Sequence, residues 1–323
     1  MQSERASESG KPILEYVPCD FCGSDDSTLL YELTDTLYGS PGLFPVRRCR
    51  VCKLIYLNPR PTADALLAHY PPSYESHQPP TILGSASLAG IGRRLNLAQK
   101  RGLVVRHISG ATGTLLDVGC ATGIFLNEMH RAGWEVKGVE PAAEAAEVAR
   151  ITFGLNVLTG TLEPGMFPPS SFDVVTYWDT LEHTPSPIAQ LQTTFTLLKP
   201  GGVAILKVPN WDGIDRHIFG GAWHGFDVPR HLYVFPRGVI ASRLSGLGFE
   251  VRRIIGGPAG YYSLTLSAYR VLRGARVAGA RRILGLLQTP GMRVLVQPIL
   301  TLLDAVRRGP ALTFLAKKPP SRT

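Results

Sequence analysis

Long apolar runs are missing from this sequence: no window reaches the ~18 uninterrupted residues that a membrane-spanning helix needs. Residues 284–305 come nearest, and Pro290, Arg293 and Pro298 interrupt them. Acids are scarce beside bases, 25 Asp and Glu against 34 Lys and Arg, which leaves a formal charge of +9. That balance suits nucleic acid or an anionic membrane surface and does not choose between them. The sequence has no internal repeat, no long low-complexity segment and no aromatic-rich RNA-binding strand. Residues 1–10 are polar and hold no apolar run of signal-peptide length, so the expected compartment is the cytoplasm. Cysteine is sparse as well. Five residues in a cytoplasmic chain read as metal ligands, reactive groups or core fillers before disulfides, so their clustering matters more than their number.

A chain of 323 residues that is 44% hydrophobic can bury a full core, with room for one large domain and a small one. Residues 11–60 hold four of the five cysteines among short strand-like pieces at 29–33 and 54–57. Pro59, Pro61 and the pairs Pro71-Pro72 and Pro79-Pro80 then mark a connecting stretch, which with its leading helices fills residues 61–112. From Thr114 onward, short β-branched runs at 114–118, 135–139, 156–158, 172–177, 203–208, 250–255 and 312–316 alternate with helical patterns at 124–131, 142–151, 188–198 and 238–247. This alternation predicts an α/β fold over 113–318: a doubly wound, mostly parallel seven-stranded sheet. Residues 256–310 are far longer than an ordinary connection of about 2–6 residues and read as a helical insertion before the last strand.

Cys19-Asp20-Phe21-Cys22 and Cys49-Arg50-Val51-Cys52 form two CxxC pairs separated by 26 residues. Four thiolates so spaced close a tetrahedral zinc site, Gly23 suits the tight turn after the first pair, and a filled coordination sphere implies a structural role. The second constellation runs from Thr114 to Gly123, an apolar strand ending in Asp117 and a small-residue loop that opens a helix. Gly119 and Gly123 let backbone approach a ligand, and the helix N-terminus offers free N–H groups. Ala121 and Ile124 occupy two glycine positions of the dinucleotide fingerprint, which disfavours NAD. Glu140 ends the next strand 23 residues after Asp117, where a carboxylate can accept both hydroxyls of a ribose.

The DxGxxxG loop, Glu140, Phe172-Asp173-Val174-Val175 leading to Asp179-Thr180-Leu181-Glu182-His183, and Leu198-Lys199-Pro200-Gly201-Gly202 resemble the class I S-adenosylmethionine-dependent methyltransferase family in order and spacing. The resemblance spans 114–317 and implies a Rossmann-like fold and S-adenosylmethionine as cofactor. It would place Gly119, Ala121 and Gly123 along the methionine moiety, Asp117 at its amino group, Glu140 on the ribose and Asp179 among the cofactor contacts. Many members carry an adenine-contacting acid after the third strand; Thr161 stands near that place here. The zinc-ribbon pattern followed by Leu57-Asn58-Pro59-Arg60-Pro61 resembles a bacterial subgroup, some of whose relatives methylate nucleotide-linked sugars at carbon. Others, sharing the Leu-Glu-His motif, methylate quinone-ring hydroxyls.

The implied reaction is in-line methyl transfer to oxygen or carbon of a small acceptor: a sugar, a quinone or a lipid-like molecule. His183 is the leading candidate base and His231 the second. Asp179, Glu182 and His183 are a candidate divalent-ion site by likeness to the ExxEH cluster of some quinone O-methyltransferases. Trp223, His224, Arg230 and Tyr233, in the aromatic stretch 218–233, are candidate substrate contacts; the plainer reading is a loop packed over the sheet. Cys120 reads as a small filler. The rival function is a nucleic-acid-binding zinc protein or an RNA methyltransferase. Nucleic acid is disfavoured, because Asp179-Thr180-Leu181 stands where amino-methylating nucleic-acid enzymes carry an Asn-Pro-Pro-Tyr type motif. In the insertion, Leu264, Leu266, Val271, Leu272, Val277, Ile283, Leu284, Leu286 and Leu287 alternate with Arg270, Arg273, Arg276, Arg281 and Arg282. Such a cap is either a packed or homodimer surface with arginines facing water, or a peripheral membrane contact.

Overall fold

The structure is a computed structural model that describes residues 13–71, 74, 88–107, 112–257, 260–274, 279–287 and 289–321. Arg276 and Val277 of the expected cap, and Pro72, Pro79 and Pro80 of the connecting stretch, lie outside these residues.

The N-terminal part forms β1 (Leu14–Glu15), β2 (Ser27–Leu33), β3 (Phe44–Cys49), β4 (Ile55–Leu57) and β5 (Arg60–Pro61), then α1 (Ala63–Leu66) and α2 (Leu88–Val105). The larger part alternates β6 (Thr114–Val118), α3 (Ile124–Arg131), β7 (Glu135–Glu140), α4 (Ala143–Phe153), β8 (Val157–Thr159), β9 (Phe172–Trp178), α5 (Pro187–Leu197) and β10 (Leu198–Pro209). It continues through α6 (Ile214–Phe219), β11 (Tyr233–Val234), α7 (Arg237–Gly246) and β12 (Glu250–Gly256). The insertion folds as α8 (Gly260–Gly274), α9 (Ala280–Leu287) and α10 (Pro290–Ala305), and β13 (Ala311–Lys317) closes the chain's last sheet position.

The seven-stranded sheet has the order β12-β13-β10-β9-β6-β7-β8, with β13 antiparallel to both of its neighbours and the remaining pairs parallel. Its central strands are continuous apolar runs because both faces lie under helices: Val174, Val175 and Tyr177 of β9 are fully buried. Local chemistry starts the helices where expected. Ser186 caps α5 by accepting from the Ala189 amide and Pro187 fills the first turn, and Thr289 and Pro290 do the same for α10.

The N-terminal module is not walled off at residue 60. Its four-stranded sheet has the order β11-β4-β3-β2, so Tyr233 and Val234 pair with Tyr56 and Ile55. One hydrophobic cluster runs from Cys19 and Phe44 through Trp223 and Phe235 to Phe314.

Candidate functional site

A cavity of about 610 Å³ opens at the carboxyl ends of β6, β7, β9 and β10, where an open α/β sheet builds its ligand crevice. One end is the glycine loop. Gly119 (φ +72°) could carry no side chain, since a Cβ would lie 2.3 Å from Thr180 Cγ2. Ala121 adopts φ +49°, and its amide donates to Glu140 Oε2 (2.8 Å), while the Ala142 amide donates to Oε1 (2.9 Å). The Glu140 carboxylate is thereby fixed at the cavity wall with lone pairs left over for two hydroxyls. Asp117 Oδ1 accepts from Thr176 Oγ1 (2.6 Å), and burial pushes its carboxyl up to about 7. Gly119, Ala121, Asp117 and Glu140 all line the cavity, and Thr161 does too. Gly123 instead packs the loop onto α4, with Ala149 and Leu155 at 2.8 Å from where its Cβ would stand. Cys120 fills the space above Gly138, whose added Cβ would meet its sulfur at 2.7 Å. The donor set fits a cofactor with an amino group and a ribose.

The other end gathers His183, Glu182, His224 and His231. His183 Nδ1 lies 3.1 Å from the Arg230 carbonyl and 2.9 Å from the Tyr70 hydroxyl; His231 Nδ1 lies 2.9 Å from the Gly225 carbonyl. A carbonyl only accepts, so each Nδ1 carries the proton and each Nε2 is left with its lone pair. The two rings meet edge to face at 4.6 Å. Burial, reinforced by the neighbouring imidazole, pushes His183 down to about 3, and burial pushes His231 down to about 4. Both are neutral across the physiological range. Glu182 is fully buried, neither carboxyl oxygen has a partner among the described residues, and desolvation raises it well above the usual carboxylate range.

The expected Asp179, Glu182 and His183 grouping does not form. Asp179 turns to Lys207 (2.7 Å), still on the cavity wall, and the atoms that converge within 4.8 Å belong to Glu182, His183 and His231. Two imidazole nitrogens and a carboxylate are a donor set that fits a divalent ion.

Of the expected substrate contacts, only His224 reaches the cavity. Trp223 is fully buried, its indole N–H donating to Asp215 Oδ2 (2.8 Å). Tyr233 lies in the module's sheet, its hydroxyl held by Arg60 (2.7 Å) and donating to the Pro185 carbonyl (3.0 Å). Arg230 is buried in an ion network: it bonds both oxygens of Asp35 (2.8 and 3.1 Å) and both of Asp227 (2.9 and 2.7 Å), and Arg270 closes on Asp227 (2.7 Å). Two cations and two anions cancel, and the fork geometry of the guanidinium is filled. Arg270, expected on the surface of the cap, is likewise a core residue.

The structure adds Tyr70, Lys100, Lys207 and Asp227 to the cavity wall. Lys207 had a signal, a lone cation within the apolar run of β10; Tyr70 and Lys100 had none, because they arrive from the connecting stretch. Lys100 lies over the Trp178 ring (4.8 Å), and burial together with Lys207 pushes it down to about 8.

The four module cysteines also converge. Cys19 and Cys52 sulfurs lie 3.4 Å apart, Cys22 and Cys49 sulfurs 3.5 Å, and all four fall within 4.8 Å. Thiolates at the corners of a tetrahedron with ~2.3 Å metal bonds stand about 3.8 Å apart, so the set fits zinc. Each pair turns the same way, through Gly23 (φ +72°) and Lys53 (φ +68°), whose amides donate to the Cys19 and Cys49 carbonyls.

Comparison with known proteins agrees with this arrangement. The family described as a methyltransferase domain matches residues 93–254, half of the chain. A ubiquinone biosynthesis O-methyltransferase of Albidiferax ferrireducens is 36% identical over 115 residues, 33% of this chain and 45% of that protein. One from Serratia proteamaculans is 40% identical over 103 residues, 30% of this chain and 43% of that protein. The chain thus spans less than half the length of these relatives. Among solved structures, a chain in the complex of the Haloferax volcanii Trm112 methyltransferase activator with a methyltransferase aligns with TM-score 0.50 at 16% identity. That alignment covers 72% of this chain and 93% of the other, and it bears on the fold alone. With the glycine loop, the acid ending β7 and the Leu-Glu-His segment all inside the matched region, the chain belongs to the methyltransferase-domain family.

Proposed function

We propose that this chain is an S-adenosylmethionine-dependent methyltransferase acting on oxygen, or on carbon, of a small-molecule acceptor, with a structural zinc on Cys19, Cys22, Cys49 and Cys52. One observation carries the reading. A single cavity joins the Asp117 and Glu140 carboxylates at one end to two imidazoles, His183 and His231, whose Nδ1 atoms face backbone carbonyls, at the other. The names of the matched relatives favour an oxygen acceptor on a quinone-like ring.

When bound, the cofactor supplies an electrophilic methyl group on a sulfonium sulfur. Glu140 would hold the ribose hydroxyls and Asp117 the amino group, which fixes the cofactor along the glycine loop. His183 or His231 would accept a hydrogen bond from the acceptor hydroxyl and orient it. An oxygen that is gaining a methyl group becomes strongly acidic, so even an imidazole with a depressed pKa takes its proton. Isothermal titration should detect S-adenosylmethionine or its demethylated product, with binding weakened at least about tenfold, ~1.4 kcal/mol, in Glu140→Ala. Binding of NADH but of neither sulfur compound would remove the reading.

A second reading, favoured by the unpartnered Glu182 carboxylate, keeps the reaction and gives Glu182, His183 and His231 a divalent ion to polarise the acceptor oxygens. Activity that is lost on dialysis against a chelator and restored by magnesium or manganese would favour it over the metal-free base.

A further inference from the structure

The helical insertion presents an unpartnered face whose charge identifies its occupant. Between residues 256 and 310 the sequence carries eight arginines and one acid, Asp304, so seven of the chain's nine net positive charges reside there. Arg270 is spent in the buried ion network, and Asp304 is half-buried. Arg273, Arg282, Arg307 and Arg308 are exposed, and none of the ion pairs among the described residues includes them, whereas Arg293, on the Leu300 side of α10, lies against Gly92 and over the Tyr261 ring (5.8 Å).

Beside Arg282, Arg307 and Arg308 runs an apolar ridge. Leu295, Ile299, Leu302 and Val306 follow at helical spacing along one face of α10 and its end, between 56% and 70% exposed, and Ile283 and Leu286 of α9 are exposed as well. The exposed ridge therefore lies mostly on α10, beyond the 264–287 stretch in which the sequence pattern places it. The opposite side of α10 packs inward through Leu300, which is buried against Gly260 at the start of α8. Tyr262 and Ser263, two and three residues further along α8, line the cavity. The outer face of the helix group is thus apolar with basic residues about it, and its inner face walls the site.

We propose that the α9–α10 face docks on an anionic lipid surface. Leucine and isoleucine side chains enter the acyl boundary while arginines reach back to phosphate headgroups. A second copy of the chain is the poorer occupant, because a two-fold interface sets the same patch against itself and would bring its arginines together without acids to pair them. The proposal concerns the surface and stands whatever the acceptor proves to be.

Flotation of the full chain with phosphatidylglycerol–phosphatidylcholine vesicles tests it. The chain should float with anionic vesicles at low salt, stay behind with pure phosphatidylcholine, and be released by high salt. Leu295→Glu with Ile299→Glu changes two exposed side chains and should abolish flotation. Arg282→Ala with Arg307→Ala, a milder pair, should weaken partitioning by more than about tenfold, since each arginine near an anionic surface is worth about fivefold. Either of two results overturns the proposal: no flotation at low salt, or flotation that both variant pairs leave unchanged. So does a dimer in vesicle-free solution that the glutamate pair dissociates, because the face would then belong to a second copy.

Discussion

At the scale of single residues, burial decides which charges exist at neutral pH. His183 and His231, held down to about 3 and about 4, are uncharged far below the ordinary imidazole range. A base of that kind loses function only when it protonates, so the acidic limb of kcat against pH is expected below about 5. A limb near 6.5, where an unperturbed histidine titrates, would show that neither ring is the group that accepts the proton. Arg230 makes the opposite case, a charge kept in the core by its partners. Replacing it with Ala leaves Asp35 and Asp227 with one cation between them, and the expected loss is about 3–5 kcal/mol in urea unfolding. Arg230→Lys should recover little, because an ammonium cannot bridge both carboxylates as the planar fork does. Desolvation opposes ionisation of Asp35, but its bonds to Arg230 hold the carboxyl down to about 2. A folded-state pKa below the unfolded one gives stability that is complete above the ordinary aspartate range. That stability is lost as pH falls through about 2, so acid unfolding of Arg230→Ala should begin at higher pH than that of the parent.

At the scale of elements, the turn between Cys19 and Cys22 is also a helix cap. Asp20, between Cys19 and Cys22, accepts from Ser186 Oγ (2.8 Å) and from the Ile188 amide (2.8 Å) at the start of α5. Arg60 donates to the Pro185 carbonyl (2.6 Å), so the module grips the segment that follows His183 from two sides. Metal at that turn would then be felt at the acceptor end of the cavity through backbone it does not touch. Stripping the metal, or Asp20→Ala at a cost of about 1 kcal/mol for a lost cap, should speed amide exchange over residues 183–190. Metal analysis should return about one zinc per chain. A metal-free protein with unchanged melting temperature and unchanged exchange would refute the coupling.

At the scale of the whole molecule, the module and the larger part share a sheet pairing and one hydrophobic cluster. The β4–β11 pairing and the ring contacts of Tyr31 with Phe226 and of Phe21 with Phe235 mean that deleting residues 13–61 would expose Phe226, Tyr233 and Phe235, all nearly fully buried. A chain starting at residue 62 should therefore aggregate or bind a hydrophobic dye, and a monomeric, cooperatively melting product would show instead that the larger part is self-sufficient. The cavity has the same dependence: Leu37 and Tyr38 of the module, Tyr70 of the connecting stretch and Tyr262 of the insertion wall it together with the sheet's own residues.

The amino-acid sequence determined what is local. Apolar runs buried on both faces set the strands of the central sheet, small residues set the glycine loop, an acid at a fixed offset set Glu140, and paired thiols set the four-cysteine cluster. Each of these is a short-range pattern whose physics is complete within a few residues, and each lies where the spacing placed it. At the histidine end of the cavity the sequence named His183, His224 and His231, and tertiary structure decided their partners. Arg230 meets Asp35 across 195 positions, and Tyr70 meets His183 across 113. An arginine or tyrosine in a polar-aromatic loop reads as a surface or substrate residue until its partner is known, because burying a charged or hydroxyl group is tolerable only when a distant segment supplies the matching bonds. That is why Trp223, Arg230 and Tyr233 became scaffold, Asp179 went to Lys207, and His231 took the place beside Glu182 and His183.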